Sequence, residues 1–100
     1  MDEDQLEELA AALAEKLKLR VGRLVQGAAE DIEQYAAEIA ADMATAALLQ
    51  DEQALAHLKG QTRLLAEKHR LAASEAAWAT VGELAFDLAD ILRVAVAVML

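Results

Sequence analysis

Between Leu13 and Ala46 the core-type positions run Leu13, Leu17, Val21, Leu24, Ala28, Ile32, Tyr35, Ile39, Met43 and Ala46, spaced by four, four and three in rotation. An eleven-residue repeat corresponds to about 3.67 residues per turn and predicts a nearly straight or slightly right-handed packed helix. The phase passes through Gly22 and Gly27 without slipping, although each glycine costs about 1 kcal/mol against alanine inside a helix. A true break would normally reset the phase, so one helix is expected over about residues 4–49. The segment Leu17-Lys18-Leu19-Arg20-Val21 alternates instead with the period of a strand. No second strand candidate accompanies it, and an isolated strand forms no sheet.

Charge rather than glycine locates the turn. Acidic blocks fall at Glu30 to Asp42 and Glu75 to Asp90, and basic blocks at Lys16 to Arg23 and Lys59 to Arg70. A chain that folds back over residues 50–53 sets Lys59, Arg63, Lys68 and Arg70 against Glu30, Glu33, Glu38 and Asp42. It also sets Lys16, Lys18 and Arg20 against Glu83, Asp87 and Asp90, with Arg93 near Glu7 and Glu8. Folding at Gly60 would oppose acid with acid. Exposed pairs are individually weak, but many of them together discriminate between registers. Asp51 is placed to cap a second helix, expected over about residues 54–99, with Glu52 and Gln53 in its first turn.

That second helix carries more apolar surface than one neighbour can cover. Between Ala76 and Leu100 the only charges are Glu83, Asp87, Asp90 and Arg93, on one narrow stripe. Leu84, Leu88, Ile91, Ala95 and Val98 repeat with the four-three spacing of a knobs-into-holes seam. Trp78, Val81, Phe86 and Leu92 lie outside or beside it, and Trp78 among small residues suits a knob against a neighbouring helix. The expected interface between subunits is therefore Trp78, Val81, Leu84, Phe86, Leu88, Ile91, Leu92, Ala95 and Val98. A membrane span is disfavoured, because four charges interrupt the segment and leave no charge-free stretch near 18 residues.

Composition agrees with long packed helices: 100 residues contain no proline, no cysteine and four glycines. The net charge of −9 disfavours nucleic acid and anionic membrane surfaces, which bind through cationic side chains. The cluster Lys16, Lys18, Arg20 and Arg23 lacks interleaved aromatics and reads as structural. His57 and His69 have no glutamate three residues before them, so the Glu-x-x-His metal pattern of helical bundles is missing. Ser74, the only serine, belongs to no Ser-His-acid pattern, and no glycine-rich phosphate loop is present. No catalytic, cofactor or metal residue is assigned. The acidic start, Asp2, Glu3, Asp4, Glu7 and Glu8, suits a helix N-terminus and is the candidate docking surface for a basic partner. It is also unlike a secretory signal, so a cytoplasmic location is expected.

The sequence thus predicts one all-α domain over residues 1–100, a long antiparallel helical hairpin with coiled-coil-like packing. It self-associates as a four-helix-bundle dimer or a higher oligomer. The expected function is a non-enzymatic scaffold or adaptor working by protein–protein contact. The alternative is a small acidic inhibitor or regulator that occupies a basic site on a partner.

Overall fold

The structure, a computed structural model, describes the backbone of residues 3–99 and the side chains of that range apart from Glu3, Leu6 and Met99. The described residues form four helices and no strand: α1 (Glu3–Leu24), α2 (Ala29–Leu49), α3 (Glu52–Lys68) and α4 (Glu75–Met99).

Both long helices expected from periodicity are interrupted. The first breaks at Val25–Ala28, where Gln26 leaves the helix and exchanges both backbone hydrogen bonds with Ala72: Gln26 N to Ala72 O at 2.7 Å and Ala72 N to Gln26 O at 2.9 Å. Ala72 lies in the connector that interrupts the second. There α3 ends with Arg70 in the left-handed region at φ 57°, while Arg70 N donates to Glu67 O and Leu71 N to Ala66 O. These are the two closing bonds of a Schellman termination, with arginine where glycine is usual. Ser74 then starts α4, its Oγ accepting from Ala77 N at 3.1 Å as an N-cap.

The turn between α2 and α3 falls where charge placed it. Asp51 Oδ1 accepts from the backbone of Gln53 and Ala54, and Gln50 closes α2 at φ 52°. The Gln50 amide donates to Ala47 O and to Arg93 O, which ties this turn to the far end of α4.

The two inner helices are α2 and α4: each touches all three others, whereas α1 and α3 flank them without meeting. Alanine permits this closeness. Ala36, Ala40, Ala44, Ala46 and Ala47 of α2 are buried, as are Ala85 and Ala89 of α4, so backbones approach where larger side chains would hold them apart. Gly82 lets α4 approach α3 closely as well, since a Cβ there would lie 3.4 Å from the carbonyl oxygen of Lys59. Of the ten expected core positions, Leu13 and Leu24 are half-buried and Ala28 is exposed in the connector; the other seven are buried.

The extra return of the chain reassigns several ion pairs. Lys68 bonds Glu38 at 2.8 Å, within the expected opposition of α3 and α2. Arg63 instead pairs with Glu75, and Lys59 with Glu83 at 3.1 Å, because α4 runs back along α3. Lys18 pairs with Glu15 and Arg93 with Asp90, each a neighbour on its own helix, rather than with the distant acids that a two-helix hairpin would supply.

Candidate interaction surface

Where α1 and α4 lie side by side, they leave a cleft lined by Leu9, Ala12, Leu13 and Lys16 on one side and Leu88, Ile91, Leu92 and Ala95 on the other, with a volume of about 230 Å³. Toward the end of α1 it continues into a second depression of about 240 Å³, between Lys16, Leu19, Arg20 and Arg23 and the side chains of Leu84 and Leu88. The surface is apolar along its floor, with a cationic rim at one end.

Its apolar exposure is substantial: Leu19 is 62 % exposed, Ile91 66 % and Val98 81 %, with Val94 also exposed. On α4, Ile91 and Val98 are separated by two helical turns and so share a face. Leu48, Leu49 and Leu64 are exposed elsewhere, but scattered surface leucines are ordinary.

The structure divides the expected interface residues into three groups. Trp78, Val81, Leu88 and Leu92 are buried within the single chain, and of these Leu88 and Leu92 form part of the cleft floor. The reason is the helix count: with four helices instead of two, α4 packs on three neighbours and most of its apolar girth is covered internally. Leu84, Phe86 and Ala95 are half-buried, and Lys59 Nζ stands 4.7 Å above the Phe86 ring. Ile91 and Val98 alone of the expected set stand fully outward. Of the acidic docking residues, Asp4, Glu7 and Glu8 are exposed along the start of α1. Asp2 and the side chain of Glu3 lie outside the described residues.

Leu9 and Leu19 were not among the expected surface residues. The signal was present in the Leu17–Val21 alternation: Leu17 and Val21 are buried, and Leu19 between them points outward on the same helix. An apolar residue outside the core register created the strand-like pattern, and its position now marks the face.

A second constellation joins α2 to the connector before α4. Tyr35, His69 and Trp78 meet edge-on, with ring centroids 6.1 Å apart for Tyr35–His69 and 6.3 Å for Tyr35–Trp78. Glu38 receives Lys68 Nζ and stands 3.3 Å from Nε2 of the buried His69, which is not aligned for a hydrogen bond. The Lys68 hydrogen bond, against a partial opposition from burial, holds the Glu38 carboxyl below its ordinary range. Next to it, burial and the Glu38 charge push Asp42 upward. His57 is exposed and remote, and the Ser74 hydroxyl is engaged as a cap. Among the described residues, no three histidine or carboxylate side chains converge as metal ligands.

No helix among the described residues is long and apolar enough to cross a membrane. The chain matches no known protein family, curated protein or solved structure.

Proposed function

We propose that this protein works by protein–protein contact, as a small self-assembling helical scaffold that catalyses no reaction of its own. The observation that carries the reading is the exposure of Ile91 and Val98 on a single face of α4, where Ile91 and Leu9 of α1 line one cleft that continues to Leu19. Apolar side chains gathered along one cleft, rather than scattered, mark an association surface. Removing them from water contributes about 25 cal/mol per Å².

The test separates association from folding. Ile91→Asp and Val98→Asp change only exposed positions, so helical circular dichroism and thermal midpoint are expected to stay near those of the wild type. Light scattering is expected to give a defined oligomer for the wild type and a monomer for Ile91→Asp. A monomeric wild-type chain at micromolar concentration would remove the scaffold reading.

A further inference from the structure

We infer that the occupant of the α1–α4 face is a second copy of this chain, docked about a two-fold axis that sets α1 antiparallel to its own copy. This rests on the scaffold reading and specifies its geometry.

The argument begins with the polarity of α1. Apart from Glu15, its described exposed acids, Asp4, Glu7 and Glu8, lie at one end, and its exposed cations Lys16, Arg20 and Arg23 lie at the other. Among the described residues none of these six has an ion-pair partner, whereas Lys18 is satisfied by Glu15. A helix with opposite charges at its two ends is complementary to itself only when reversed. A parallel copy would align acid with acid and base with base.

Register supplies the second argument. The antiparallel alignment that brings Glu8 beside Arg20 of the second copy also brings Leu9 beside Leu19 and Ala12 beside Lys16, with Asp4 beside Arg23. Leu9 and Leu19, the exposed leucines of α1 among the described residues, then cover each other, and the small Ala12 lies near the axis, where helices must come close. Across the cleft, the residues level with this midpoint are Leu88, Ile91 and Leu92. An axis passing by Ile91 sets Val98 against Leu84 of the second copy, so the exposed valine meets the half-buried leucine. One operation thus covers the outward residues of both helices. It is isologous, so the assembly closes at two subunits.

Other occupants fit less well. A basic protein would meet Lys16, Arg20 and Arg23 on the same face. Nucleic acid or an anionic bilayer would meet the acidic end and the net charge of −9.

The experiment uses the full-length chain and sedimentation equilibrium. Glu8→Arg and Arg20→Glu are each expected to weaken dimerisation about tenfold, because under two-fold symmetry every lost pair is lost twice. The double variant Glu8→Arg/Arg20→Glu is expected to recover most of the loss. Orientation is read separately, since the chain has no cysteine of its own. Leu9→Cys chains mixed with Leu19→Cys chains are expected to form a mixed disulfide dimer, and Leu9→Cys alone is not. Efficient crosslinking of Leu9→Cys with itself would overturn the antiparallel geometry. So would a dimer indifferent to both charge reversals, although the scaffold reading would survive either result. A wild-type monomer, including one that pellets with neutral phosphatidylcholine vesicles, would overturn both.

Discussion

The hydroxyl of Tyr35 on α2 donates to the backbone carbonyl of Thr62 on α3 at 2.6 Å, while the Thr62 hydroxyl donates to Lys59 O at 2.8 Å. The phenol is the only one in the chain and its side chain is almost wholly enclosed. Two inner-layer contacts therefore hang on one residue: the α2–α3 hydrogen bond and the ring packing on His69 and Trp78.

Burial pushes the Tyr35 phenol well above its ordinary value of 10.0. The folded state then retains a proton that the unfolded state releases, so stability is intact below pH 10 and declines as pH rises beyond it. With a single tyrosine, tyrosinate absorbance reports this directly. It is expected to appear together with loss of helical circular dichroism, not before it. Tyr35→Phe is expected to cost about 1 kcal/mol at neutral pH and to remove this alkaline decline.

The acid limb has two opposing contributors. Glu38 is held below its ordinary value of 4.5, so its contribution is present above that pH and is lost as pH falls through the lower folded value. Asp42 is held above its ordinary value of 3.8, so protonating it relieves a cost and favours the folded state as pH falls. Glu38→Gln is expected to flatten the acid loss of stability. Asp42→Asn should raise stability at neutral pH and steepen the acid fall, as measured by urea denaturation across the pH range.

The glycines separate by environment. An added Cβ at Gly22, inside α1, meets nothing within 4 Å, so Gly22→Ala is expected to stabilise by about 1 kcal/mol. At Gly27 the same atom would lie 2.3 Å from Leu71 Cδ2. Gly27→Ala must displace a buried leucine at the junction of the two connectors and is expected to destabilise by about 1 kcal/mol. Opposite shifts in thermal midpoint for the two single variants are the signature.

The connector before α4 offers a third pair of opposite outcomes. Arg70 occupies the left-handed region, where glycine is free of the Cβ penalty, so Arg70→Gly is expected to stabilise by about 1 kcal/mol. Ser74→Ala removes the side-chain cap of α4 and is expected to cost about 1 kcal/mol. Thermal unfolding followed at 222 nm checks both.

Helical class, the Gln50–Asp51 turn and most of the core positions were legible because each depends on local chemistry: helix propensity, a capping carboxylate and an apolar phase. The two breaks were not. The four-residue connector Val25–Ala28 occupies about one helical turn of sequence, so the apolar phase resumes in step at Ile32 and Tyr35 as though the helix had continued. Lys68-His69-Arg70-Leu71 contains neither glycine nor proline, and its left-handed arginine leaves no compositional mark. The signal that was available there is Ser74 followed by Glu75, an N-cap and a first-turn acid. Part of the candidate surface was legible as well, through the seam containing Ile91 and Val98, but the burial of Trp78 and Leu92 depends on a fourth helix that periodicity alone does not count.

The Gln26–Ala72 exchange also bears on the order of folding. Contacts within α1–α2 and within α3–α4 are short in sequence separation, and topologies rich in such contacts form fast. The two hydrogen bonds between the connectors belong to neither unit and exist only once the units have docked. Their amides are therefore expected to exchange with deuterium at a common rate, set by the separation of the two halves rather than by fraying of any one helix.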